Sequence, residues 1–195
     1  MRASGEIIVV RHGQTAANAR GLLLGRLDVD LDDVGRAQAA ALVAALPTPD
    51  LVVTSPLART RQTAAAFGVE AEVDERWIEM DYGDFDGRPT GDVTAETWAQ
   101  WRADVDFAPP GGESLARVTA RVRDALDGLV ARAVGRRVVV VSHVSPIKAA
   151  VGWALAMGPE VSWRTFVAPG SITRLGVGPS GPSLRSFNET MHLSA

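Results

Sequence analysis

Two short runs of aliphatic residues in this chain each end on a histidine. Ile7, Ile8, Val9 and Val10 lead into Arg11-His12-Gly13-Gln14-Thr15, and Val138 to Val141 lead into Ser142-His143-Val144-Ser145-Pro146. Short unbroken aliphatic runs suit strands that are buried on both faces, and such strands belong to parallel sheets covered by helices. In open sheets of this kind ligands bind in the crevice at the carboxyl ends of the strands. Two of the three histidines are therefore expected to meet at one end of one sheet.

The remaining pattern agrees with an alternation of strands and helices. Asp32 is placed to cap an alanine- and leucine-rich helix that runs to Leu46 and is stopped by Pro47 and Pro49. Leu51 to Thr54 reads as a second strand, and Ser55-Pro56 as a capped helix start with proline at the first helical position, the helix reaching about Phe67. The segment from Glu70 to Gly112 is less regular, with a short strand near Val73 and a helix from Thr94 to Ala103. Leu115, Val118, Val122, Leu126, Leu129 and Ala133 recur at three- and four-residue spacing, which predicts a long helix beginning near Glu113 and Ser114 that packs on one face. A helix after Pro146 and two strands near Ile172 and Leu184 complete a single α/β domain with a mostly parallel sheet and one or two antiparallel late strands.

Composition removes several function classes. With no cysteine there is no disulfide, thiolate metal site or sulfur nucleophile. A net charge of -3 with scattered basic residues speaks against nucleic acid as a partner. No stretch approaches the roughly 20 apolar residues of a membrane span, and the N-terminal apolar run is too short for a signal peptide, so a cytoplasmic location is expected. No apolar stripe announces an oligomer. Of the 20 basic residues only Lys148 is lysine, so arginine at a given place means little until its position is explained.

Four segments have the residue types of a reactive site, and each taken alone also has a bland reading. His12 at a strand end serves equally as a satisfied polar residue, with Arg11 as a surface ion-pair partner. Arg59, in the segment Ser55 to Thr63, falls near a helix start, where the dipole disfavours a cation unless an anion is bound. His143 repeats the position of His12. Glu79 and Asp81 precede a glycine turn, where carboxylates are usually just solvated.

Together these segments resemble the histidine phosphatase superfamily, also called phosphoglycerate mutase-like. The resemblance is carried by RHGQT with Asn18 downstream, SPLARTRQTA, IEMDYGDFDG, PPGGES, SHVSPIK and the closing FNETMHL. It implies a three-layer α/β/α sandwich and a metal-independent phosphatase that hydrolyses small phosphate monoesters through a phosphohistidine, with no cofactor. On this chain it makes His12 the nucleophile, places Arg11, Arg59 and His143 in a cationic pocket, adds Asn18 and the Val144 N–H as phosphate contacts, and makes Glu79 the proton donor. Asp81 stays open as an alternative donor. Val144 departs from the glycine often found after the second histidine. Two arginines would also lower the pKa of His12 and keep its attacking nitrogen unprotonated.

A calcium loop around Gly87 fails because its twelfth position is Val93 rather than Glu. An aspartyl-phosphate reading fails because Asp84 does not leave an apolar strand. A phosphoglycerate mutase or a non-catalytic phospho-ligand binder remain as alternatives, the shortness of the chain favouring hydrolysis. Trp98, Trp101 and Phe107 are expected in the core rather than on a pocket, and His192 is expected to be structural.

Overall fold

The computed structural model describes residues 4–194. Six strands, β1 (Gly5–Arg11), β2 (Leu51–Thr54), β3 (Ala71–Val73), β4 (Arg137–Ser142), β5 (Ile172–Gly178) and β6 (Gly181–Glu189), form one sheet in the order β3-β2-β4-β1-β5-β6. The β1–β4, β4–β2 and β2–β3 pairs are parallel, whereas β5 and β6 join antiparallel at the edge. The expected mostly parallel sheet with antiparallel late strands is present.

Side-chain alternation splits each central strand between two cores. Ile7, Val9, Val138 and Val140 face the helices α5 (Leu115–Ala133) and α6 (Val144–Leu155), and Ile8, Val10, Val139 and Val141 face α2 (Asp33–Ala45) and α3 (Ala58–Ala65). The result is a three-layer α/β/α sandwich. Each fully buried Val, Leu or Ile contributes roughly 1.5–3 kcal/mol, so the four-valine run of β4 is a large share of the drive to form the centre of the sheet. All six apolar positions expected along α5 are buried, and Ser114 caps that helix by accepting from Arg117 N at 3.3 Å.

Register decides where the chemistry sits. Arg11 pairs with Ser142, so His12 and His143 leave adjacent strands side by side, and His12 N donates to Ser142 O at 3.0 Å. Thr54 pairs with Val141, which brings Ser55 and the start of α3 to the same edge.

One expected cap is corrected. Helix α3 begins at Ala58, not at Pro56, and Ser55 does not cap it. The free Ala58 N–H is taken instead by Asp28 Oδ1 at 2.7 Å, a side chain thirty residues away, while Ser55 Oγ lies 2.7 Å from His143 Nε2. A distant carboxylate has replaced the local hydroxyl, and the hydroxyl is released to the site.

The turn after His12 lies directly on the first turn of α2. A Cβ on Gly13 would come within 2.3 Å of Gly35 O, and one on Gly35 within 2.0 Å of Gln14 O. Both contacts are backbone to backbone and neither side can yield. Gly35→Ala is expected to destabilise the protein by about 2 kcal/mol or more. Gly128, exposed within α5 with nothing near its would-be Cβ, gives the opposite result: Gly128→Ala should stabilise by about 0.5–1 kcal/mol. Chemical denaturation of the two variants checks both signs.

Candidate active site

The two imidazoles meet at the carboxyl ends of β1 and β4, with ring centroids 5.1 Å apart and planes at 62°. His12 Nδ1 is 2.6 Å from Gly13 O. A carbonyl oxygen only accepts, so Nδ1 carries the hydrogen and the lone pair of the neutral ring is on Nε2. His143 has the complementary assignment: its Nδ1 accepts from Arg59 Nε at 3.3 Å, which leaves Nε2–H to donate to Ser55 Oγ at 2.7 Å. Burial, reinforced by the nearby arginines, holds both rings well below the ordinary histidine pKa. Both are therefore neutral at neutral pH, and the positive charge of the pocket comes from its arginines alone.

Arg59 is fully buried. Its guanidinium donates to Leu27 O at 2.8 Å and Gly25 O at 2.6 Å, besides the bond to His143. Arg11 donates to Val167 O at 2.7 Å and keeps a buried Nε–H with no partner. Among the described residues neither guanidinium forms an ion pair with a carboxylate; the arginines that do are elsewhere. Desolvation lowers both pKa values, that of Arg11 to about 10, with Glu79 opposing the shift in each case. Both groups remain charged at neutral pH. Two cations, Arg59 fully buried and Arg11 partly so, are thus bonded to neutral carbonyls, with the carboxylates of Glu79, Asp28 and Asp86 acting on them only from beyond ion-pair distance.

Glu79 is 3% exposed and lies across the N-terminus of α6. Its Oε1 accepts from Met80 N at 2.8 Å and Ser145 N at 3.0 Å, and its Oε2 from Val144 N at 3.0 Å. The Val144 N–H, expected on a phosphoryl oxygen, is thus engaged by Glu79 in this structure. Asp81 points elsewhere, accepting from Gly83 N and pairing with Arg26 at 3.4 Å. Asn18 is half-buried, and its Oδ1 accepts from Thr15 N and Oγ1 at 3.2 and 3.0 Å, closing the capping box of the short helix α1 (Ala16–Ala19). Its carbonyl is spent on shaping the loop after His12, leaving the amide N–H groups to meet a ligand.

Two supports lie outside the nominated site residues, although Glu113, at the start of the long helix, is open in the sequence to a second reading as an orienter of a pocket residue. The Asp86 carboxylate accepts from Gly25 N, Arg26 N and Leu27 N at 2.7, 2.8 and 2.9 Å, and so fixes the segment whose carbonyls grip Arg59. Glu113, buried, takes a bidentate pair from Arg121 at 2.9 Å on both oxygens, and Arg121 in turn donates to Arg76 O and Glu79 O. Asp86 stands in a turn that looks merely polar, and Arg121 looks like the solvated side of α5; only tertiary placement gives either a role. Among the described residues no three His, Asp or Glu side chains cluster as metal ligands, and no helix is long and apolar enough to cross a membrane.

The model of the histidine phosphatase superfamily (branch 1) matches residues 7–190. The chain is 36% identical over 190 residues to a glucosyl-3-phosphoglycerate phosphatase of Mycobacterium tuberculosis (strain ATCC 25618 / H37Rv), covering 89% of this chain and 84% of that protein. It is 32% identical over 198 residues to a protein of the same organism described as bifunctional, with 96% of this chain matched against 54% of that protein, so it spans about half the length of that relative. In three dimensions it resembles a mutant phosphoserine phosphatase of Entamoeba histolytica solved with phosphoserine, at a TM-score of 0.88 and 26% identity over 96% of this chain and 98% of that one.

Two outcomes follow from this geometry. Below the ordinary histidine value of 6.5, the unfolded chain binds protons on His12 and His143 that the folded chain refuses. Stability therefore falls as pH drops below that value, by up to about 1.4 kcal/mol per pH unit for each ring. Thermal midpoints measured between about pH 7 and about pH 5.5 should show that decline, and a His12→Asn/His143→Asn double variant should flatten it. Isothermal titration with inorganic phosphate should find affinity lowered about tenfold in Asp86→Ala and unchanged in Asp84→Ala, whose side chain is exposed and lies two positions away.

Proposed function

This chain belongs to the histidine phosphatase superfamily, branch 1, and from that premise we propose that it hydrolyses small phosphate monoesters through a phosphoryl group carried on His12. The observation that carries the reading is the pairing of an imidazole whose Nε2 holds a free lone pair with two guanidinium cations, one fully and one partly buried, that lack carboxylate ion-pair partners. A phosphate monoester has a charge near -1.5 to -2 at neutral pH, which matches the two positive charges and must be offset before a nucleophile can approach. The phosphatases among its relatives add support.

The steps balance as follows. Nε2 of neutral His12 attacks phosphorus in line, and the bond to the ester oxygen breaks. Nδ1–H stays on Gly13 O and steadies the positive charge that develops on the ring. Arg11 and Arg59, with the Asn18 amide, hold the phosphoryl oxygens, in the role that cations take in other phosphoryl transferases, and His143, held by Ser55, supports the Arg59 guanidinium beside them. A phosphoryl oxygen that reaches the N-terminus of α6 takes over the Val144 N–H, because a helix start with open N–H groups receives phosphate readily. That exchange releases Glu79 Oε2 toward the leaving oxygen. Glu79 Oε2 takes up the proton that the monoanionic form of the ester brings into the site and passes it to the departing alkoxide; it then takes a proton from the water that attacks the phosphohistidine, and the P–N bond breaks to return neutral His12 and inorganic phosphate.

Hydrolysis of p-nitrophenyl phosphate in the presence of EDTA tests the reading. Turnover should survive the chelator and fall by roughly three orders of magnitude or more in His12→Ala. Turnover that needs added metal, or that persists in His12→Ala, contradicts it. Net conversion between phosphoglycerate isomers faster than phosphate release would mark a mutase instead.

A further inference from the structure

Beside Glu79 lies a cavity of about 170 Å³ whose walls include Trp98, Trp101, Trp163, Tyr82 and Lys148. Met80, Val144 and Ser145, the three residues whose N–H groups hold the Glu79 carboxylate, also line it. The proton donor of the proposed reaction therefore stands at its border. Trp98 and Trp101, expected in the core, do both jobs: they stack at 5.4 Å and 16°, Trp163 meets each edge-on at 6.2 Å, and the assembly walls the cavity.

The polar side chains of this cavity are the hydroxyls of Tyr82, Ser145 and Ser162 and the ammonium of Lys148, the one cation among them. Lys148, one turn along α6 from Val144, donates only to Ser162 O at 2.8 Å, and burial lowers its pKa. It is the only lysine of the chain. A half-buried ammonium with one carbonyl partner at the wall of a largely apolar cavity calls for an anionic acceptor. The volume is that of a single six-membered ring, since a cavity near 150 Å³ accommodates benzene.

We infer that this cavity is the leaving-group subsite and that it selects phosphate monoesters whose alcohol carries one flat, ring-sized apolar group ending in a carboxylate that meets Lys148. The inference rests on the phosphatase reading above and adds to it the class of alcohol. The apolar walls take the ring, Lys148 takes the carboxylate, and the phosphoryl group remains between the two arginines.

The test compares ethyl, benzyl and para-carboxybenzyl phosphate by kcat/KM on the full chain. Benzyl phosphate should exceed ethyl phosphate by about tenfold or more, the gain from burying a ring, and the carboxylate should add a further severalfold gain. Lys148→Met should erase the carboxylate gain while benzyl phosphate still exceeds ethyl phosphate, with an unaltered circular dichroism spectrum reporting the intact fold; Trp98→Ala should reduce the benzyl gain. Equal rates for ethyl and benzyl phosphate, or a carboxylate gain that survives Lys148→Met, overturn the subsite. If no ester is turned over, the phosphatase reading falls on its own, and titration with benzyl- and ethylphosphonate still decides the subsite: tighter binding of the benzyl compound supports it and equal binding rejects it.

Discussion

The parallel pairing of β1 with β4 is the constraint on which the site depends. Its register sets Arg11 opposite Ser142, and one residue further each strand releases a histidine into the same space. A slip of one residue would turn both cores inside out, because alternate side chains face opposite helical layers. The runs Ile7 to Val10 and Val138 to Val141, buried on both sides, thus hold the rings in place with the full cost of disrupting the sheet. Sheet stability and site geometry are one property here.

Around that fixed centre the protein accumulates positive charge that the fold does not neutralise. Arg59 is gripped by two carbonyls, and those carbonyls are positioned by Asp86 through three backbone N–H groups. The carboxylate thus works at one remove: it orders the loop without pairing the cation. Glu113 and Arg121 make a similar brace under Glu79. In both braces the acidic charge is kept away from the guanidinium groups that face the pocket. Stability alone would favour direct pairing, so the separation is the mark of a site built for an external anion.

Much of this was legible in the sequence. The aliphatic runs, the periodicity of α5 and the punctuation by Pro47 and Pro49 each reflect local physics, and each element formed where that physics put it. Position at strand ends and at a helix start draws attention to His12, His143 and Arg59, and the resemblance carried by the motifs assigns their roles and adds Asn18, Val144 and Glu79. What failed was whatever depends on a distant partner. Ser55 has every local qualification as a cap, yet Asp28 supplies the bond and Ser55 turns to His143. Trp98 and Trp101 have the composition of core residues, and a side chain that packs on its neighbours while lining a cavity cannot be told from core by pattern. Asp86 lies within the segment IEMDYGDFDG and Arg121 on the polar side of α5, yet nothing local gives either its role, which is set by segments that meet only after folding.

The central claim is that Nε2 of His12 is the atom that receives the phosphoryl group. Phosphorus NMR of the protein quenched in alkali during turnover of a monoester tests it most directly. The phosphoryl resonance should be that of an Nε2-phosphohistidine and should be absent from His12→Ala. A resonance from an Nδ1-linked phosphohistidine, or one that persists without His12, would contradict the arrangement in which Gly13 O holds the Nδ1 hydrogen and leaves Nε2 to attack.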